Sequence, residues 1–230
     1  MRPNIPRASP APTELKSGGR KDCMEARRMV KLILIRHGQS VWNAANRFTG
    51  WTDVELSEKG EAEAAAAGDE LADVRFDVVH TSALIRAQRT AEIVMEQNRA
   101  SGHQGSVPTR FDERLNERHY GDLQGLNKAE TAELHGADQV HIWRRSFDVP
   151  PPGGESLEMT AERTIPYFIE EIIPDLESGK NVLVAAHGNS LRSIVMHIEG
   201  ISPEDITSLE IPTGVPMHYE FAEGEISRIE

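Results

Sequence analysis

The amino-acid sequence predicts an α/β protein of three layers, α/β/α, with a mostly parallel central sheet, and two stretches carry that reading. In Val30 to Asn43, VKLILIRHGQSVWN, residues Val30, Leu32, Ile33, Leu34 and Ile35 make a nearly continuous apolar run rich in β-branched residues. Such a run suits a strand buried on both faces of a parallel sheet. Asn181 to Ser190, NVLVAAHGNS, repeats the design with Val182 to Ala186. Each run stops at a His-Gly pair, His37-Gly38 and His187-Gly188, followed by small polar residues that open a helix. Ligands of open α/β sheets collect at the carboxyl ends of the strands. Two such strands side by side would aim two imidazoles at one point.

The chemistry at these strand ends reads as a phosphate site. Arg36 supplies a cation beside His37, and Gly38 allows close approach of the backbone to a ligand. Gln39, Ser40 and Asn43 can donate hydrogen bonds, and the N–H groups opening a helix favour an anion. One histidine could attack phosphorus while the other donates to the phosphoryl oxygens. Either stretch alone could be a strand end that happens to carry Arg-His-Gly; the repetition weighs against that.

Composition narrows the classes. At 230 residues and 38% hydrophobic, the chain is long enough for one well-packed domain, expected over residues 29–230. The formal charge of −12 disfavours general binding to nucleic acid or anionic membranes, so a polyanionic substrate would need a local arginine cluster. The single cysteine, Cys23, excludes an internal disulfide framework. There is no apolar run of membrane-spanning length and no secretory h-region, which together imply a cytoplasmic setting. Nine histidines raise the question of a metal, but no H-E-x-x-H, Cys pair or helix-spaced His pair is present, and none is expected. Residues 1–28 hold four prolines and seven Lys or Arg against three acids, with little apolar periodicity, and read as a disordered extension.

After the first motif, Arg47 to Asp53 (RFTGWTD) is a turn in which Thr49 and Gly50 can approach a ligand while Phe48 and Trp51 read as packing. Ser57 is placed to cap an exposed scaffold helix over Glu58 to Leu71. Phe76 to His80 is the next strand, with His80 read as a satisfied structural histidine. Thr81-Ser82 is expected to cap a helix running to Gln97. Its face of Leu84, Ala87, Ala91 and Val94 turns inward, leaving Arg86 to point at the strand ends.

Asp112 to Gly125, DERLNERHYGDLQG, gathers acids, bases, an imidazole and a phenol. Glu117 is the candidate proton shuttle, Arg118 and Tyr120 are candidate ligand contacts, and His119 is ambiguous. A short helix follows with Lys128 at its start. Trp143-Arg144-Arg145 then pairs two guanidinium groups suited to carboxylate or phosphate. Pro150 to Gly154 is a rigid connection. Ser156 opens a long helix ending at Gly179, with Leu157, Ile165, Ile169, Ile172, Ile173 and Leu176 on its buried face and Pro166 and Pro174 segmenting it. A helix capped by Gly200, a short Ser202-Pro203 helix, a strand over Met217 to Phe221 and a hairpin return complete the chain.

Taken together, LILIRHGQSVWNAANRFTGWTDVELSEKG, TSALIRA, LNERHYGDLQGLNKAET, WRRSF, AAHGNSLR and IPTGVP resemble the histidine phosphatase superfamily, and within it the 2,3-bisphosphoglycerate-dependent phosphoglycerate mutases. The resemblance runs from Val30 to Phe221. It implies the histidine phosphatase (phosphoglycerate mutase-like) fold and interconversion of 2-phosphoglycerate and 3-phosphoglycerate. By resemblance, His37 is the phosphorylated nucleophile, Glu117 the proton donor and acceptor, and His187 the transition-state stabiliser. Arg36, Ser40, Asn43, Thr49, Gly50, Arg86, Arg118, Tyr120, Lys128, Arg144, Arg145, Gly188 and Asn189 resemble the phosphate and carboxylate contacts, with Gly38, Gln39 and His119 counted among the substrate-binding residues. The family also implies 2,3-bisphosphoglycerate as primer and intermediate, no metal, and a homodimer. VPPPGG, between Asp148 and Glu155, is shorter than the corresponding segment of many relatives, and the tail after Phe221 lacks the lysines of some. A phosphatase of the same superfamily, acting on a small phosphoester, is the competing reading. Lys128, Arg144 and Arg145 weigh against it, because they would hold a second acidic group that simple hydrolysis does not need.

Overall fold

Alternation along the first strand divides the core in two. In β1 (Val30–Arg36), Leu32 and Leu34 point to one side of the sheet and Ile33 and Ile35 to the other, and all four are fully buried. Burying each such side chain contributes about 1.5–3 kcal/mol, so a strand apolar on both faces is stable only in the middle of the molecule. The computed structural model describes residues 29–102 and 107–229; the expected extension 1–28, with Cys23, lies outside them.

Six strands form one sheet: β1, β2 (Val78–Thr81), β3 (Thr109–Phe111), β4 (Val182–Ala186), β5 (Pro216–Ala222) and β6 (Glu225–Ile229), in the order β3-β2-β4-β1-β5-β6. The pairs β1–β4, β2–β4 and β2–β3 are parallel, while β5 runs antiparallel to both β1 and β6. The expected α/β fold with a mostly parallel sheet is therefore present, and the two His-Gly strands are direct neighbours.

Helices cover both faces. They are α1 (Val41–Ala44), α2 (Glu58–Glu70), α3 (Ile85–Gln97), α4 (Lys128–His135), α5 (Ala137–Arg145), α6 (Leu157–Tyr167), α7 (Ile173–Glu177), α8 (Gly188–Glu199) and α9 (Pro203–Ile206). Ala67 and Leu71 at α2 and Ala91 and Val94 on α3 pack on Ile33, Ile35 and Leu183. Tyr167, Phe168, Leu191, Ile194 and Val195 pack on Leu32, Leu34 and Val184 from the other side. Ser57 caps α2 by accepting from the Gly60 N–H at 3.1 Å, and Gly200 closes α8 with φ at 63°, as expected.

Four expectations are corrected. Thr81 and Ser82 do not form the helix cap: Thr81 ends β2, and Leu84 stands at the N-cap of α3 with no side-chain bond. The helix α2 is more than an exposed scaffold. Gly38 lies directly against Gly60, and a Cβ on either would overlap the other strand of backbone, so Gly38 serves helix–strand contact. The long helix from Ser156 is continuous through Pro166, but it carries a π-helical turn at Phe168–Ile172 just before Pro174. Tyr167 and Phe168 continue the buried stripe of Leu157, Ala161 and Thr164, the π-helical turn carries it on to Ile172, and Ile169 lies off it, 47% exposed. Trp51 also does more than pack, because its indole N–H donates to the Glu117 carbonyl. His80 is satisfied as expected, through Tyr167 Oη at 2.8 Å and Asp175 Oδ2 at 3.0 Å.

Candidate active site

The site lies where β1 and β4 end together. Arg36 is in register with Ala186, and the His37 N–H donates to the Ala186 carbonyl at 3.0 Å. His37 and His187 thus leave adjacent strands, and their rings meet with centroids 4.9 Å apart and planes inclined by 59°. Nδ1 of His37 lies 2.7 Å from the Gly38 carbonyl, which can only accept, so Nδ1 carries the proton and Nε2 keeps its lone pair. Nε2 of His187 bonds the Ser82 hydroxyl at 2.7 Å.

Burial keeps both imidazoles neutral. The pKa of His37 is lowered well below its ordinary value, first by loss of solvent and then by the Arg86 and Arg36 guanidinium groups. His187 is lowered likewise by burial, by Arg86 and by its neighbour His37. Arg86 is buried at the start of α3 and donates to the Gly50 and Thr52 carbonyls at 2.7 and 3.1 Å. The turn of Thr49 and Gly50 therefore fixes this cation, whose own pKa burial pushes down to about 10. Arg36 donates to the Ile211 carbonyl at 2.7 Å.

Glu117 is buried opposite. Its Oε1 accepts from the Arg118 N–H (2.8 Å), the Asn189 N–H (3.1 Å) and the Asn189 amide (2.9 Å). Burial alone would raise its pKa; Arg36, these donors and Arg86 outweigh burial and hold the carboxyl below its ordinary value. Asn189 stands in the first turn of α8, where the helix N-terminus favours a negative charge.

A polar pocket joins these groups. Arg36, His37, Asn43, Thr49, Gly50, Arg86, Glu117, Tyr120 and Lys128 line it, together with Arg47 and Phe48. Buried Arg36 Nε, Arg86 Nε and Thr49 Oγ1 have no hydrogen-bond partner among the described residues. Buried donors of this kind are costly unless a ligand accepts from them, and an anion would. A roomier cleft of about 370 Å³ between α3 and β3 is lined by Val79, Gln88, Met95 and Phe111 among others, with no cationic side chain among the described residues. Of the two, the smaller, cationic pocket is the one suited to an anionic ligand.

Other expected residues sit around this centre. Ser40 caps α1 and bonds Asn43 reciprocally, which orients the Asn43 side chain. Gly188 packs over the Arg36 guanidinium, 3.5 Å from where a Cβ would be. Arg118 is buried and reaches Tyr120 Oη and the Arg144 carbonyl. Tyr120 is pulled toward ionisation chiefly by Arg118, against burial, and the pKa of Lys128 is lowered by burial. Gln39, His119 and Arg145 have their side chains engaged away from the pocket. Gln39 turns its side chain to Ser57. The His119 ring lies against Trp51, with Nδ1 accepting from the Gly121 N–H. Arg145 is paired with Glu210 at 2.6 Å and donates to the Thr207 carbonyl.

Sequence reasoning missed Ser82 and Arg47 as site residues, and Arg192, whose guanidinium holds Asn189 Oδ1 at 3.0 Å. Ser82 follows a strand end as His37 and His187 do, which was the available signal. Nothing in the local sequence marks the other two. Among the described residues no group of His, Cys, Asp and Glu could hold a metal ion, and no helix is long and apolar enough to cross a membrane.

Two buried imidazoles at neighbouring strand ends, ringed by arginines and faced by a carboxylate, make an arrangement whose chemistry suits phosphoryl transfer through histidine. The chain belongs to the histidine phosphatase superfamily (branch 1), whose family model matches residues 32–228. A 2,3-bisphosphoglycerate-dependent phosphoglycerate mutase of Protochlamydia amoebophila is 50% identical over 224 residues, covering 86% of this chain and 97% of its own. A protein of the same name from Cytophaga hutchinsonii is 54% identical over 191 residues, covering 83% and 87%. Among solved structures, Bacillus stearothermophilus YhfR superposes with a TM-score of 0.75 at 28% identity, covering 86% of this chain and 95% of that one. A mycobacterial glucosyl-3-phosphoglycerate phosphatase with VO3 gives 0.74 at 28%, covering 87% and 97%.

Proposed function

We propose that this chain is a phosphoglycerate mutase that interconverts 2-phosphoglycerate and 3-phosphoglycerate through a phosphohistidine at His37, with 2,3-bisphosphoglycerate as primer and intermediate. The observation that carries the reading is the shared pocket. His37, Arg36 and Arg86 line it together with Glu117, Tyr120 and Lys128. That composition suits a small molecule with two acidic groups and a hydroxyl between them. The partnerless donors Arg36 Nε, Arg86 Nε and Thr49 Oγ1 fit its phosphate oxygens.

In the priming step, Nε2 of neutral His37 attacks one phosphorus of 2,3-bisphosphoglycerate, the P–O bond to the glycerate breaks, and the departing oxygen takes a proton from Glu117. Arg36, Arg86 and the His187 imidazole gather the charge that spreads over the phosphoryl oxygens, and the reaction rests on positioning and electrostatics. Phospho-His37 then gives its phosphoryl group to the free hydroxyl of a bound phosphoglycerate. Glu117, held as a carboxylate by its neighbours, takes that hydroxyl proton. Once the substrate has turned round, His37 accepts the other phosphoryl group, and Glu117 returns the proton to the departing oxygen. Binding of a phosphate dianion offsets the Arg36 and Arg86 charges and raises the affinity of Glu117 for the proton it must carry.

Arg118 and Lys128 are assigned to the glycerate carboxylate and second phosphate, with Arg144 and Arg145 at the rim. The family resemblance supports a homodimer working in the cytoplasm. A coupled assay of 3-phosphoglycerate conversion, with and without 2,3-bisphosphoglycerate, tests the function. Conversion that requires the bisphosphate supports the mutase; release of inorganic phosphate with no conversion supports the phosphatase reading.

A further inference from the structure

We propose that Arg163, with Glu155 and Trp51, is a positioning clamp that holds the Glu117 carboxylate in its reactive orientation by gripping the peptide behind it. Arg163 lies on α6, outside the pocket, and touches none of the reacting groups assigned above.

Its guanidinium is fully committed. Nη1 donates to the Arg114 and Asn116 carbonyls at 2.9 and 3.0 Å, and Nη2 donates to the Glu117 carbonyl at 2.9 Å. Nε and Nη2 make a two-pronged contact with Glu155 at 2.9 and 2.8 Å. Glu155 in turn accepts from the His119 N–H at 2.8 Å, and its own N–H donates to the His119 carbonyl at 2.8 Å. Trp51 lies under the guanidinium, 5.4 Å from ring centre to Cζ, and its N–H meets the same Glu117 carbonyl. Two donors thus converge on one oxygen, and the following residues are tied to the same carboxylate.

The consequence follows from the planarity of the peptide bond. The Glu117 carbonyl and the Arg118 N–H belong to one peptide unit. Arg163 and Trp51 fix the carbonyl, and the N–H on the opposite side donates to Glu117 Oε1 at 2.8 Å. Rotating that peptide would remove one of the three donors that orient the carboxylate. Lysine at 163 retains the charge but lacks the planar fork that reaches several carbonyls and Glu155 together.

The clamp rests on the acid–base role given to Glu117, and a double-mutant cycle separates the two. Wild type, R163K, E117Q and R163K/E117Q are assayed for 3-phosphoglycerate conversion with 2,3-bisphosphoglycerate, with melting temperatures recorded for each. A displacement of about 1 Å costs about 10²-fold, so R163K is expected to lower kcat by roughly 10- to 100-fold with KM within about threefold. In the E117Q background the same change is expected to cost less than about twofold, because the group it positions is gone. W51F keeps an aromatic ring at this position but removes the indole N–H together with the five-membered ring that carries it. It is expected to lower kcat by roughly 3- to 10-fold with the same dependence on Glu117, and serves if R163K does not fold. Equal losses in both backgrounds, or near-normal kcat in R163K and W51F, overturn the clamp. Wild-type turnover in E117Q overturns it at its foundation, by removing the acid–base role.

Discussion

The Ser82 hydroxyl and His187 Nε2 are 2.7 Å apart although 105 positions separate them in the chain, and the bond ties the end of β2 to the imidazole at the end of β4. Ser82 also accepts from the Leu84 N–H at the start of α3, the helix that delivers Arg86. One hydroxyl therefore links the second histidine to the element that carries the buried arginine.

Removing that hydroxyl should loosen His187 without emptying the pocket of charge. A neutral hydrogen bond is worth about 0.5–1.5 kcal/mol, so Ser82→Ala is expected to lower kcat by roughly 3- to 10-fold with little change in KM. Steady-state kinetics of the variant check this; unchanged kcat would remove Ser82 from the orientation of His187.

Acidification should destabilise the fold through its buried imidazoles. His37, His187 and His80 all have depressed pKa values, with burial the first cause in each. The unfolded chain, with ordinary histidines of pKa ~6.5, then binds more protons than the folded one, so stability is full above about pH 6.5 and falls below it. Each histidine contributes up to about 1.4 kcal/mol per pH unit in that window, until its folded-state pKa is reached. Urea unfolding across about pH 8 to 5 is the measurement, and His37→Gln should reduce the slope. Stability that is flat or rises on acidification in this range would contradict the burial of neutral imidazoles.

Lys128 and Arg145 should separate in their effects. Lys128 lines the pocket, whereas Arg145 is engaged by Glu210 and the Thr207 carbonyl. Losing a charge-assisted contact costs about 1.5–3 kcal/mol, so Lys128→Ala is expected to reduce kcat/KM for 3-phosphoglycerate by roughly 10- to 150-fold. Arg145→Ala, losing a partly exposed ion pair, is expected to stay within about fivefold. Parallel kinetics on both variants decide it, and a larger loss at Arg145 would mean that this side chain leaves Glu210 to grip the substrate.

The features that were legible in the sequence are those written locally. The apolar runs before His37 and His187 announced two central parallel strands and placed both imidazoles at their ends. The dense loop around Glu117 stood out by its ionisable groups. What escaped depends on contacts between distant residues or on departures from ideal geometry. Gly38 looked like a ligand-facing glycine because its real neighbour, Gly60, lies on another element. Ile169 shares a 3.6-residue period with Ile165 and Ile172, but the buried stripe of α6 runs through Ala161, Thr164 and Phe168, one position away. Gln39 and His119 stand within motifs whose other members face the pocket, but their side chains are claimed by Ser57 and by Trp51 and Gly121. Arg163 carries no local mark, since the carbonyls it grips come from a loop 46 to 50 residues earlier.

The central claim is that His37 carries the phosphoryl group, and the most direct test is intact-mass analysis after brief exposure to 2,3-bisphosphoglycerate, followed by peptide mapping. Wild type is expected to gain one acid-labile, base-stable phosphoryl group on the peptide containing His37, and His37→Ala to gain none. A phosphoryl adduct that persists in His37→Ala, or that maps to another residue, would contradict the account.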